Sequence, residues 1–202
     1  MPNHPLRTRS VRQCGNISGM DTFFGIPAHP LLVHIPVVLL PLTAVGVVVM
    51  LIRPSWHLRY RWAVLAVGLV GMIGAIMAAD AGESLEERIE ATKGYAASRG
   101  WHDHADAGDT AQAFAIVFFA ALALYILVPF FLDRWAKRNA GKGVDVTSGA
   151  GGPSSPRWLS VALAVLVGLA SIGTVTTVIL AGHSGSKAVW CATNTPPDCE
   201  GG

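Results

Sequence analysis

Charged side chains are scarce in this sequence. Asp, Glu, Lys and Arg make up 14% of its 202 residues and hydrophobic types 51%, whereas an ordinary soluble domain is about a quarter charged. The scarcity is uneven. Residues 31–52, 62–79, 111–132 and 159–181 contain none of these four residue types, and each run is close to the ~20 residues that carry a helix across a bilayer. Soluble core helices are rarely so long and so uniformly apolar, so a soluble fold is set aside. The net charge of +2 is too small to point to a nucleic-acid partner. Phosphate-binding glycine loops, dinucleotide fingerprints and the H-E-x-x-H zinc-protease signature are all missing. The inverted repeats of many transporters are missing too, and four helices are few for a carrier unless the chain forms a homo-oligomer. The first apolar run is too long for a signal-peptide core and no small-residue cleavage site follows it, so no cleaved signal is expected.

What remains is an all-α polytopic membrane protein, an antiparallel bundle of four transmembrane helices at about 31–52, 62–79, 111–132 and 159–181. Residues 1–28 are expected to be a flexible tail, 29–190 the membrane domain and 191–202 an outer tail. Met20 follows Arg7, Arg9 and Arg12 and is a second possible start, so Met1 and Met20 both stay open. Pro30 suits a first helical turn; Pro36 and Pro41 are tolerated in a membrane helix and bend it. Two stripes of small residues, Gly71/Ala75/Ala79 and Gly173/Thr177/Ala181, predict close helix contact. The expected loop 53–61 carries Arg53, Arg59 and Arg61 with no acid. The expected loop 133–157 is also mainly basic and includes a Gly/Ser-rich linker at 141–156. The expected loop 80–110 is rich in acids, among them Asp80, Glu83, Glu86, Asp106 and Asp109, with a short polar surface helix within 83–93. Positive charge marks the cytoplasmic side, which places the acidic segment and both termini outside.

Histidine is the one chemically versatile residue that this topology gathers. His29 and His34 open the first helix, His102 and His104 precede the third, and His183 follows the fourth; in an antiparallel bundle these ends share one membrane face. His34 stands inside an apolar run, and ionisable residues at membrane depth commonly face the bundle interior and mark function. A structural alternative is an interfacial imidazole bonded to a carbonyl or a lipid headgroup. Neutral imidazole is a common ligand for haem iron, zinc and copper. A haem b suits a four-helix bundle, with His34 and either His104 or His183 as the axial pair and His29 as a supporting or alternative ligand. Zinc or copper on His34, His104 and His183, with Asp80 or Glu83 near, is the second reading. A structural subunit without any cofactor is the third. His102 and His104 are too close to ligate one centre from a helix, and His4 and His57 receive no role.

Three strings carry a resemblance: GIPAHPLLVHIPVVLLPL at 25–42, HADAGDTA at 104–111 and GHSGSKAVW at 182–190. They resemble the bacterial domain-of-unknown-function family numbered 2231, over roughly 25–190. The resemblance implies a four-helix protein of a bacterial inner membrane, without an established activity. It points to His29, His34, His104 and His183 and supplies no ligand. Haem b, an electron-transfer or redox role, and a quinol or membrane oxidoreductase as electron partner are inferences from histidine placement alone. Cys191 and Cys199 frame CATNTPPDC, and an outer location permits a disulfide between them.

Overall fold

A computed structural model of the chain describes residues 22–23, 26–93, 95–140 and 156–193. Two-residue strands β1 (Thr22–Phe23) and β2 (Ile26–Pro27) pair antiparallel. Five helices follow: α1 (His29–Leu32), α2 (His34–Ile52), α3 (Pro54–Lys93), α4 (Tyr95–Ala140) and α5 (Arg157–Thr193). α2 packs on α3, α3 on α4, α4 on α5, and α5 returns to α2, which closes an antiparallel four-helix bundle. All four of its sides are long and apolar enough to cross a membrane. The protein is a multi-pass membrane protein.

Local chemistry explains the boundaries. Val33 separates α1 from α2 yet keeps helical dihedrals, φ −61° and ψ −22°. Pro36 lacks the N–H that would bond the Leu32 carbonyl one turn back, so the hydrogen-bond ladder lapses while the path continues. Arg53 adopts φ −125° and ψ 93°, the extended conformation forced on a residue before proline. Pro54 then opens α3, where its fixed φ is pre-organised. Of the expected loop 53–61, only Arg53 is not helical.

The expected loop 80–110 is likewise overturned. α3 runs on through the acidic segment to Lys93 and α4 begins at Tyr95. At 1.5 Å per residue, α3 and α4 span about 60 and 69 Å, roughly twice a ~30 Å hydrocarbon core. Hydropathy marks the part of a helix that lies in lipid. It does not mark where Ala, Glu, Leu and Arg, all good helix formers, stop being helical. α4 also continues past the apolar run to Ala140, into the expected loop 133–157, whose linker lies outside the described residues apart from Pro156.

The core holds Leu40, Val47, Phe118, Leu122, Ile126 and Val167. Leu31, Val45, Ile52, Phe131, Leu169 and Ile172 point outward and are more than half exposed, as lipid-facing side chains must be where the solvent is itself apolar. The one hydroxyl proton of buried Thr174 is shared between the carbonyls of Ala170 and, across the helix boundary, Phe114, both at 2.9 Å. The small-residue stripes are close contacts. In the stripes, a Cβ on Gly71 would lie 3.0 Å from Leu40 Cδ2 and one on Gly173 2.6 Å from Phe114 Cε1; beside the first stripe, one on Gly74 would collide with Ile35, whereas one on Gly168 would meet nothing within 4 Å. Gly74→Ala and Gly173→Ala are therefore expected to cost about 1–3 kcal/mol each through overpacking, and Gly168→Ala nothing. Thermal unfolding in detergent measures the difference; equal midpoints for all three would refute the close-contact reading.

Candidate cofactor-binding site

Where the acidic extension meets the membrane domain, two imidazoles face each other. His29, the first residue of α1, places Nδ1 2.7 Å from the carbonyl oxygen of Ala78 in α3. A carbonyl only accepts, so Nδ1 carries the proton and the Nε2 lone pair of the neutral ring is uncommitted. Gly82, one turn beyond Ala78, clears the space: a Cβ there would lie 3.0 Å from the His29 ring.

His104 in α4 is held from α5. Its Nδ1 lies 3.1 Å from Ser184 Oγ, and the Ser184 hydroxyl donates to the Ala181 carbonyl at 2.9 Å. The Ala181 carbonyl also takes a hydrogen bond from the His104 ring; in the tautomer in which Nδ1–H donates to Ser184, Nε2 is left as the lone-pair nitrogen. Gly185 makes the room: a Cβ there would lie 2.7 Å from His104 Cε1. Orientation of an imidazole through its second nitrogen is the usual support of a metal-ligating histidine. The two ring centroids are 5.8 Å apart, with the planes at 78°.

A cavity of about 540 Å³ surrounds the pair, within the range of small-molecule and cofactor sites. Leu40, Ala75 and Val178 line its membrane end, and Ile89, Trp101 and Val189 its far end. Gly108 and Gly182 line it too, and a Cβ on either would meet nothing within 4 Å. Their missing side chains leave empty space; they do not permit a close contact. Glu83, Glu86, Asp106 and Asp109 also line the cavity, with no Lys or Arg among the described residues of the lining. The Glu86 carboxylate contacts the His102 ring at Nδ1. Among the described residues no group of three or more His, Cys, Asp or Glu is arranged to hold a metal ion.

Residues 25–194 match the family model described as predicted membrane protein (DUF2231). The chain belongs to that family. No curated protein and no solved structure matches it. The DUF2231 description gives a location and no activity, so the chemistry rests on the site.

The structure distributes the four histidines of this DUF2231 protein unevenly. His29 and His104 meet. His34, expected to be an axial ligand, is exposed and outside the cavity lining. At 100° per residue, the five positions from His29 to His34 turn it roughly 140° around the helix, so the two cannot serve one side. His183 is also exposed and outside the lining, although its neighbours Gly182 and Gly185 belong to it. Of the four, the structure brings the rings of His29 and His104 into contact. Asp80 is exposed and does not line the cavity, whereas Glu83 does. His57 lies in the N-terminal part of α3, against Tyr125.

Ser184 and Gly82 escape the sequence reading. A serine without an orienting acid is no nucleophile, and its use here as a hydrogen-bond acceptor depends on α4 lying beside α5. The GH-x-G string was the available signal, since Gly185 leaves the space that His104 fills. Cys191, in the last turn of α5, is disulfide-bonded; Cys14 and Cys199 both lie outside the described residues, so the expected Cys191–Cys199 pairing stands as a proposal.

Proposed function

We propose that the protein is a haem b-binding electron-transfer subunit in which His29 and His104 would hold the haem iron. The observation that carries this reading is the pair itself: two imidazoles from different helices that line one cavity, each with its Nδ1 in a hydrogen bond. The two rings lie close enough, 5.8 Å between centroids, that both could reach one iron. A tetrapyrrole supplies the other four nitrogens, so two protein ligands suffice. A zinc or copper site ordinarily needs three or four protein ligands, and no such group occurs among the described residues. When bound, the group supplies one-electron chemistry. The chain's own contribution would be to present both rings, to set ligand basicity through the Ala78 carbonyl and the Ser184 hydroxyl, and to cover the macrocycle with the apolar part of a lining that also holds Glu83, Glu86, Asp106 and Asp109.

The haem would lie towards the extracytoplasmic face of a bacterial inner membrane, with both termini on that side. The electron donor would be membrane quinol or a neighbouring oxidoreductase. The orientation follows from Arg53, Arg59 and Arg61 at one end against the acids of 80–110 at the other. Reporter fusions after Arg59 and Lys142 are expected to read as cytoplasmic, and one after Glu90 as external; the opposite pattern would invert the protein. The cofactor is tested by the absorption spectrum of the purified protein. A Soret band with sharp reduced α and β bands is expected, and a protein that stays colourless when haem is supplied would end the proposal.

A further inference from the structure

The opposite, basic end of the bundle carries a second polar cluster. His57 and Arg61 are one turn apart on α3 and therefore share a face. The His57 ring meets that of Tyr125 in α4, centroids 5.2 Å apart and planes at 81°. The Arg61 guanidinium lies over Trp62 and Phe130, 5.4 and 5.2 Å from their ring centres. Arg61 Nε is buried and has no hydrogen-bond partner. Among the described residues no hydrogen bond reaches the His57 ring or the Tyr125 hydroxyl either. All three residues are half-buried. A polar group left without a partner away from water is costly.

The chemistry of the three groups defines what satisfies them. A guanidinium N–H, a phenol O–H and an imidazole N–H are all donors, so the complement is a group of acceptor oxygens. The surroundings favour negative charge: Arg53 and Arg59 lie on the same segment, which has no acid between residues 53 and 61. Arg134 faces Phe130 from α4, 5.7 Å from its ring centre. Exposed Trp56, Tyr60 and Trp62 form the aromatic belt that sits at headgroup level. We propose that His57, Arg61 and Tyr125 bind the phosphodiester of an anionic phospholipid between α3 and α4. This site is independent of the histidine cavity.

The full-length protein in nanodiscs tests it. Wild type is expected to show a higher unfolding midpoint in phosphatidylglycerol-containing discs than in phosphatidylcholine discs, and to retain phosphatidylglycerol in native mass spectra. Arg61→Gln and Tyr125→Phe should lower the retained fraction about tenfold. Tyr125→Phe removes a single hydroxyl, so it keeps the test valid if Arg61→Gln fails to fold. Arg157→Gln removes an equal charge from the start of α5 and should change nothing. The proposal is overturned if wild type behaves alike in both lipids, if Arg61→Gln and Tyr125→Phe retain the lipid, or if Arg157→Gln loses it equally. Stabilisation by inorganic phosphate alone would reassign the cluster to a free anion, and stoichiometric quinone in extracts, lost in Tyr125→Phe, would reassign it to a quinone; either overturns the lipid assignment.

Discussion

His29→Ala and His104→Ala are each expected to abolish the low-spin spectrum of the haem-loaded protein, while His34→Ala and His183→Ala leave it intact. One remaining imidazole cannot occupy both axial positions. His34 and His183 are exposed and outside the cavity lining, so their removal takes away no ligand. Each alanine also deletes an interhelix hydrogen bond, His29 to Ala78 or His104 to Ser184, which contributes about 1 kcal/mol. Loss of haem must therefore be separated from loss of fold: every variant must insert and run as a monodisperse species. Added imidazole offers a second discriminator, since it can fill the space left by a deleted ring and restore the spectrum only if that ring was a ligand. If His34→Ala or His183→Ala lost the haem while His29→Ala kept it, the proposed axial pair would be wrong.

Gly108→Leu and Gly182→Leu are expected to make the haem-free protein more stable and unable to bind. A glycine inside a helix costs roughly 1 kcal/mol relative to alanine, and both positions face open space in which a Cβ meets nothing within 4 Å. A leucine there gains helix propensity and fills part of a cavity of about 540 Å³. The same side chain would occupy volume proposed for the macrocycle, so haem affinity should fall by at least two decades, about 3 kcal/mol. The opposite signs are diagnostic. A substitution that merely damaged the bundle would lower the unfolding midpoint and binding together, as Gly173→Ala would by pressing on Phe114. Thermal unfolding and haem titration on the same samples separate the cases, and unchanged haem affinity in both leucine variants would remove the cavity as the binding site.

The acidic extension bears on how this site is built. Had α3 ended at Ala79 and α4 begun at Ala111, His104 would lie in a loop, with no fixed relation to Ser184 or to His29. Continuous helices carry the registers of Ala78, Gly82 and His104 from the membrane segments into the site. A helical hydrogen-bond ladder transmits orientation over many turns, whereas a loop pays conformational entropy for each residue that it orders. His102 joins this framework from the polar side through its contact with Glu86.

The sequence by itself determined the number of spans, the antiparallel order and the end of the bundle at which the histidines gather. These are local or additive properties: uncharged runs near ~20 residues report helices in lipid, and alternation of direction follows from counting them. It also marked the close-packing stripes, because a missing side chain is visible in one dimension. Tertiary structure alone decided which histidines meet. That choice depends on angular phase, which turns His34 away from a site that His29 enters. It depends on helix length beyond the bilayer, which hydropathy does not report. It depends also on partners from other helices, the Ala78 carbonyl and the Ser184 hydroxyl, which orient each ring across 49 and 80 residues of sequence. A one-residue shift rotates a helical side chain by about 100°, so the composition of one end of the bundle is legible in the chain while the identity of the facing pair is set by packing.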